Sequence, residues 1–229
     1  MNYEDRYDPD EDFDRWYTIG TAAAIGKWVR AGDDVLELGC ATGAMTAVLA
    51  AKGAKVVGID RVEAWLERAR RRGLAGTEFI AADLNALDVG GAYDHVVAAN
   101  VAHEVVDLDD FLVRCRRHLA PDGLLHVSLQ NPRSIHRLLG ISMGMISDVH
   151  ELSDRGRDLE TLRVLEADEL IASARTATLD CIHREGIMLK PLPNALMTTL
   201  PEPVLEGMLG AATYFPDHAA MNYLVFRHR

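Results

Sequence analysis

Four points in the sequence place a polar residue or a glycine where a predicted β-strand ends. Glu37 and Gly39 close the first apolar run, and Asp60 closes the second. Asp83 and Asn100 close the third and fourth runs in the same way. In an open α/β sheet, ligands bind beyond the carboxyl ends of the strands, next to the first strand, where the strand order reverses. We therefore expect these residues to converge on one ligand.

The loop after the first strand is formed by residues 39–44, GCATGA. A dinucleotide site has Gly-x-Gly-x-x-Gly, and alanine stands here at the second and third glycine positions, which makes a nicotinamide cofactor the weaker interpretation. Glu37, two residues before Gly39, favours a ligand with positive charges. S-adenosylmethionine (AdoMet) has two, on its sulfonium and its ammonium group. The following helix would direct its N-terminal amides at the same ligand.

Residues 35–43, VLELGCATG, resemble motif I of the class I, Rossmann-like AdoMet-dependent methyltransferases of the small-molecule type. The motif, acidic-x-Gly-x-Gly-x-Gly, is matched at Glu37, Gly39 and Gly43, and Ala41 replaces its middle glycine. The resemblance runs from about residue 34 to 131 and implies AdoMet as cofactor and S-adenosylhomocysteine as product. A methyl group at Ala41 is tolerated if the backbone keeps a negative φ, and we expect that conformation here.

The resemblance also implies roles for residues at the later strand ends. Asp60 corresponds to the acidic residue that binds both ribose hydroxyls, and Arg61 then lies along the adenosine. Asp83 and Leu84 resemble the pair that meets adenine through a carboxylate and a backbone amide. Asn100 resembles the position that faces the methionine moiety. For the two aspartates, helix capping is the structural alternative.

His103 is the candidate catalytic residue. It lies in residues 100–107, NVAHEVVD, where similar small-molecule methyltransferases have Leu-Glu-His-Val, so histidine and glutamate are in the opposite order here. A neutral imidazole facing the pocket would accept a proton from a hydroxyl nucleophile. A histidine packed at a helix start is the alternative, and the sequence favours neither.

Three basic residues lie on or beside two irregular excursions of the chain: His136, His150 and Lys190. Each alone is more often a surface or packing residue. Together with the methionines of the same segments, they predict a substrate pocket of mixed polar and apolar character. The histidines lack a recognisable metal-ligand spacing, so we predict no metal site.

The elements that must position these residues alternate between strand and helix patterns. The predicted strands are residues 34–39, 55–60, 77–83, 93–100, 124–130, 179–189 and 221–227. The predicted helices are residues 13–30, 43–52, 62–72, 108–119 and 166–176, with a turn at 120–123. This alternation implies right-handed crossovers. We expect an α/β fold with a doubly wound, seven-stranded, mostly parallel sheet, an antiparallel last strand and helical cap insertions.

The composition indicates the class of protein. A length of 229 residues with 48% hydrophobic content predicts one domain, 1–229, with cap segments at about 131–163 and 191–216. The net charge of −11 disfavours a nucleic-acid partner. With no long apolar run and no secretory leader, we expect a cytoplasmic monomer or homodimer without a membrane partner. The three cysteines are far apart and are expected to be reduced thiols.

Two charged clusters are predicted to face solvent. Acidic residues crowd the N-terminus, which is interpreted as a solvated, partly disordered leader; they are Glu4, Asp5, Asp8, Asp10, Glu11, Asp12 and Asp14. Arginines crowd the end of the third predicted helix, which is interpreted as a solvated helix face; they are Arg68, Arg70, Arg71 and Arg72.

These observations predict AdoMet-dependent methylation of an oxygen or nitrogen nucleophile on a small molecule. A peptide or protein methyltransferase is the nearest alternative, because the second excursion would also form a groove. An NAD(P)-dependent oxidoreductase and an AdoMet-binding domain without turnover are alternatives from other classes.

Overall fold

The computed structural model describes residues 7–153, 156, 157, 159 and 161–229. Seven strands form one sheet with the order β3-β2-β1-β4-β5-β7-β6. The strands are β1 (Asp34–Leu38), β2 (Lys55–Asp60), β3 (Thr77–Ala81), β4 (Tyr93–Ala99), β5 (Leu119–Gln130), β6 (Leu179–Ile187) and β7 (Met221–His228). The helices are α1 (Arg15–Ile25), α2 (Ala44–Ala51), α3 (Glu63–Arg71), α4 (Leu108–Arg117), α5 (Ile135–Ser142), α6 (Ala167–Thr176), α7 (Asn194–Met197) and α8 (Glu202–Ala211).

The pairing of the strands confirms the predicted fold class. Strands β1 to β5 pair in parallel, and β7 is antiparallel to both β5 and β6. The chain runs outward from β1 to β3 and then returns to place β4 on the other side of β1. The strand order therefore reverses between β1 and β4, which is where an open α/β sheet binds its ligand.

Two hydrophobic clusters cover the two faces of the sheet. Leu36 and Leu38 of β1 belong to the cluster beneath α4 and α6, whereas Val35 belongs to the cluster beneath α1 and α2. Successive side chains of a strand point to opposite faces, so β1 is buried on both. Burial of each such aliphatic side chain stabilises the fold by roughly 1.5–3 kcal/mol, and this fixes the strand whose end carries Glu37.

Two predicted boundaries were wrong. The turn at 120–123 lies inside β5, because Leu119 already pairs with Tyr93 and the register shifts before Leu124 pairs with His95. The intervening residues form an irregularity in the ladder rather than a turn ahead of the strand. The first helix ends at Ile25 instead of residue 30, and Gly26 forms its C-cap. No helix among the described residues has both the length and the apolar composition to cross a membrane.

Asp8 and Asp10 form ion pairs with Arg68 of α3 and with Arg72 at its C-cap, which corrects the predicted solvated leader. The predicted solvated helix face is corrected only in part, because Arg70 and Arg71 are exposed. Arg68 contacts Asp8 at 2.9 Å and Asp10 at 2.6 Å, and Arg72 contacts Asp10 at 2.8 Å. Asp10 also accepts a hydrogen bond of 2.9 Å from the Thr42 hydroxyl, so the N-terminal segment is held against the loop after β1. We call this group the ionic clasp. Glu4 and Asp5 lie outside the described residues.

Candidate active site

The loop between β1 and α2 depends on two glycines. Gly39 has φ +76°, and a Cβ there would collide with the side chain of Val101. Gly43 has φ +78° and forms the N-cap of α2, and a Cβ there would lie 3.0 Å from that of Ala69 on α3. Gly39 therefore permits the turn beside the site, while Gly43 permits close packing of the helix start against α3.

Ala41 corrects the expectation of a negative φ, because its φ is +46°. Left-handed backbone costs a residue with a Cβ about 1–2 kcal/mol. A carboxylate from the next strand stabilises the conformation: Asp60 Oδ2 accepts a hydrogen bond of 2.9 Å from the Ala41 amide, and its Oδ1 accepts one of 2.9 Å from the Val62 amide. Asp60 thus joins the loop after β1 to the loop after β2. Asp60 does not cap α3, because Val62 is the N-cap of that helix and has no side-chain cap hydrogen bond.

Glu37 is almost completely buried at the end of β1, with 3% of its surface exposed. Its Oε2 accepts a hydrogen bond of 2.6 Å from the Thr46 hydroxyl on α2. Burial, together with the nearby Asp60 carboxylate, raises the pKa of the Glu37 carboxyl to about 7. A positive charge bound next to Glu37 would stabilise the ionised form.

Asp83 lies two residues after the end of β3, and Asn100 directly follows β4. The Asp83 carboxylate accepts a hydrogen bond of 2.9 Å from the Asn85 amide and caps the short 3-10 helix Leu84–Ala86. Asn100 has φ +57°, and its Oδ1 is buried without a hydrogen-bond partner among the described residues. A buried polar atom of this kind destabilises the folded state unless a ligand or a water molecule donates a hydrogen bond to it.

His103 follows Asn100 in a loop held by the second half of the chain. The Leu162 amide donates to the His103 carbonyl at 3.1 Å, and Arg163 donates to the carbonyl of Val106 at 2.7 Å. Burial lowers the pKa of the His103 imidazole to about 4, so the ring is neutral at neutral pH. Its Nδ1 is buried without a partner among the described residues, and its Nε2 lies 3.6 Å from Glu104 Oε1.

A cavity of about 910 Å³ joins these strand ends to the later segments of the chain. It is lined by eleven of the thirteen residues predicted for the site: Glu37, Gly39, Ala41, Asp60, Arg61, Asp83, Leu84, Asn100, His103, His136 and Lys190. The drug-sized pockets of proteins span roughly 300–1,000 Å³. The cavity is therefore large enough for a nucleoside and a second small molecule.

Two of the predicted residues do not line the cavity. Gly43 packs against α3, as described above. His150 lies outside the cavity lining, with its Nδ1 3.0 Å from Asp148 and its Nε2 3.1 Å from Glu166. The prediction that His150 binds substrate is not supported, because surface carboxylates engage both ring nitrogens. Among the described residues, no group of three or more His, Cys, Asp or Glu side chains is arranged to hold a metal ion.

The cavity also has walls that the sequence motifs do not reveal. Tyr7 and Pro9 of the N-terminal segment line it, next to Trp65 of α3, whose ring lies 5.8 Å from that of Tyr7 in an edge-to-face arrangement. Asp14 lines it as well and accepts a hydrogen bond of 3.2 Å from Asn194. The acidic N-terminus resembles a disordered leader, and only the arginines on α3 could have signalled that it folds back.

The residues present fit AdoMet. A cationic ligand suits the buried Glu37 and Asp60 carboxylates, and a ligand with hydrogen-bonding groups suits the unpartnered Asn100 Oδ1. Gly39 and Val101 both line the cavity at the end of β1, and the missing Cβ of Gly39 makes room for the Val101 side chain.

Comparison with known proteins agrees with this assignment. Residues 35–123 match the family described as "Methyltransferase domain". A ubiquinone biosynthesis O-methyltransferase from Chelativorans sp. is 30% identical over 182 residues, which cover 76% of this chain and 71% of the relative. Another from Mesorhizobium japonicum is 29% identical over 184 residues, which cover 76% and 72%.

Among solved structures, an AdoMet-dependent methyltransferase from Mesorhizobium loti has a TM-score of 0.67 at 19% identity, and the match covers 92% of this chain and all of the other. This likeness supports the fold. None of these similarities supports the oxidoreductase alternative. The strand-end site and the shared sequence together show that the chain belongs to the class I S-adenosylmethionine-dependent methyltransferases.

Proposed function

We propose that the enzyme methylates an oxygen or nitrogen nucleophile of a small molecule, and that a hydroxyl group is the nucleophile it favours. This proposal rests on one observation. The strand ends line the same cavity as the cap residues of α5 and the segment after β6. Such a cavity suits an acceptor enclosed beside the cofactor. Two relatives named as O-methyltransferases favour the hydroxyl group.

The strand ends would bind the cofactor. When bound, AdoMet supplies an electrophilic methyl group on a sulfonium centre. Glu37 would place a buried negative charge near the sulfonium and ammonium groups of AdoMet. Asp60 accepts two backbone hydrogen bonds, and its remaining lone pairs could accept hydrogen bonds from the ribose hydroxyls. Asp83 and Leu84 would meet the adenine, with Arg61 alongside the adenosine. Asn100 would direct its unpartnered oxygen at the methionine portion.

His103 would receive the proton of the acceptor hydroxyl. Its low pKa makes it a weak base, but the hydroxyl proton becomes far more acidic as the new carbon–oxygen bond forms. A neutral, buried imidazole lining the cavity is suited to this step. The contact between Nε2 and Glu104 favours the tautomer that leaves Nδ1 as the acceptor.

The cap residues favour a small acceptor over a peptide. Leu139, Met143 and Met145 line the cavity from α5 and the turn after it, while Leu192 and Leu196 line it from the segment after β6. Methyl transfer also requires that the nucleophile be aligned and water be excluded, which these cap residues would provide by packing against a small acceptor. A cytoplasmic location and a monomeric or homodimeric state remain predictions.

The test is a turnover assay with AdoMet and a panel of small phenols, alcohols and amines. We expect S-adenosylhomocysteine to accumulate with at least one hydroxyl acceptor, whose mass increases by one methyl group in place of a hydrogen. His103→Ala should bind S-adenosylhomocysteine like the wild type yet lose turnover. Turnover with peptides alone would contradict the small-molecule proposal.

A further inference from the structure

The charged residues that line the cavity differ between its two ends. Acidic residues come from the strand ends and the loops after them, namely Glu37, Asp60 and Asp83. The cap contributes three basic residues: His136 and Arg137 on α5, and Lys190 after β6. The cofactor end therefore suits a cation, and the cap end suits an anion.

Three charged residues depart from this division, and each has a local explanation. Arg61 directly follows Asp60 and faces the cofactor end, where the resemblance places it beside the adenosine. Glu104 lies next to His103. Asp14 faces the cavity from the N-terminal segment, where its carboxylate accepts a hydrogen bond from the Asn194 side chain.

Lys190 is the central residue of the cap end. It is only 5% exposed although it lines the cavity, and its Nζ lies 5.8 Å from the centroid of the Phe13 ring. Lysine is almost never this buried unless it is paired. A negative group in the cavity would gain a charge-assisted hydrogen bond from it in a desolvated setting, where such bonds are strongest.

His136 provides a second hydrogen-bonding group at the same end. Its Nδ1 is buried without a hydrogen-bond partner among the described residues. Burial and the neighbouring charge of Lys190 lower the pKa of His136 to about 3, so the ring is neutral and carries one N–H donor. Arg137 donates to the carbonyls of Val149 and Glu151 and adds a positive charge at this end.

We propose that the cap end of the cavity is an anion subsite, and that the methyl acceptor is a small hydroxy compound with an apolar body and an acidic group such as a carboxylate. Lys190 and His136 donate hydrogen bonds to the acidic group. The apolar body lies against Leu139, Met143 and Leu192. This proposal rests on the proposed function and names the chemical class of its acceptor.

The test compares two carboxylates with their neutral amides, 3,4-dihydroxybenzoate with 3,4-dihydroxybenzamide and 4-hydroxyphenylacetate with 4-hydroxyphenylacetamide. Each is titrated calorimetrically into protein saturated with S-adenosylhomocysteine. We expect at least one carboxylate to bind roughly tenfold or more tightly than its amide, as a hydrogen bond to a charged group predicts. Lys190→Met should abolish this preference, and Lys190→Arg should retain part of it.

Lys52→Met is the matched control, because Lys52 is exposed at the end of α2 and does not line the cavity. It should leave the preference unchanged, and thermal unfolding should show that every variant is folded. Equal affinities within both pairs, no binding of any probe, or an unchanged preference in Lys190→Met would overturn the anion subsite. Failure of the wild type to bind S-adenosylhomocysteine would instead overturn the proposed function.

Discussion

The Asp60 carboxylate accepts a hydrogen bond of 2.9 Å from the backbone amide of Ala41, and this contact joins the second strand to the loop after the first. Ala41 stands where the methyltransferase motif has a glycine, and its positive φ shows that the loop keeps a glycine-like conformation without one. Asp60 is thus a structural residue of the loop and a candidate ligand of the ribose. The two functions are compatible, because a carboxylate has about four lone-pair positions.

The two small residues of this loop should respond differently to substitution. Gly39→Ala adds a Cβ that collides with Val101 at a positive φ, so we expect a loss of roughly 2 kcal/mol or more in the free energy of unfolding. Ala41→Gly relieves the left-handed backbone strain of the folded state but raises the conformational entropy of the unfolded chain. The two effects oppose each other, so the free energy of unfolding should change by no more than about 1 kcal/mol. Chemical denaturation measures both. Equal destabilisation by the two changes would contradict this account of the loop.

Glu37 should make cofactor binding depend on pH. In the free protein its pKa is about 7, so it is largely protonated at lower pH. A cationic ligand binds the ionised form better, so AdoMet affinity should rise from about pH 5.5 to 7.5 and then level off, with proton release on binding. Calorimetry in buffers with different ionisation enthalpies measures the number of protons released on binding.

The matched variant is Glu37→Gln, which should bind AdoMet more weakly and lose the pH dependence over this range.

The stability of the free protein should depend on pH in the opposite direction to its AdoMet affinity. The folded state binds the Glu37 proton more tightly than the unfolded state does, so this residue's contribution to stability falls as the pH rises from about 4.5 to 7. An affinity that does not change with pH would show that Glu37 is not near the bound charges.

The ionic clasp should make cofactor affinity sensitive to salt. Asp10→Asn removes the carboxylate that contacts Arg68, Arg72 and Thr42, and thereby loosens the N-terminal segment over the loop. These groups are about one-third exposed, so we expect a loss of only a few-fold in S-adenosylhomocysteine affinity at low ionic strength.

The difference between Asp10→Asn and wild type should shrink at about 1 M salt, where the Debye length is about 3 Å. Glu63→Gln serves as the control, since it breaks an exposed pair with Arg70 on the same helix. If Glu63→Gln weakens cofactor binding as much as Asp10→Asn does, the clasp has no special function.

His103 should give an activity profile that is flat around neutral pH. Its pKa of about 4 keeps the imidazole neutral above about pH 5, so kcat at saturating AdoMet should show no inflection near the ordinary histidine value of 6.5. His103→Gln should lower kcat by roughly 10²–10⁴-fold at every pH. An unchanged kcat in this variant would show that His103 is not the general base and has only a packing function.

Most of the strands and the cofactor end of the site were predictable from sequence for a physical reason. Strands buried on both faces leave continuous apolar runs, and a ligand at their ends requires polar residues at fixed positions, so Glu37, Asp60 and Asn100 stand out. Membership of the methyltransferase family and the AdoMet cofactor followed from these residues and are confirmed by the relatives.

The rest depends on contacts between distant segments. The pairing of Asp10 with Arg72 joins residues 62 positions apart, and no local pattern distinguishes such a pair from two solvated charges. The placement of His150 outside the cavity lining was hidden for the same reason, since its partner Glu166 comes from the segment just before α6. The positive φ of Ala41 depends on a carboxylate in the next strand, which the motif alone does not reveal.

Titration of AdoMet into the wild-type protein and into Asp60→Asn, followed by calorimetry, tests the central claim most directly. The asparagine has only one side-chain oxygen and must release either Ala41 or Val62, which misplaces the loop. We predict one AdoMet per wild-type chain with a dissociation constant in the micromolar range, from about 1 µM upward, and an affinity reduced about tenfold or more in a folded Asp60→Asn. A folded wild-type protein that binds no AdoMet would contradict the account.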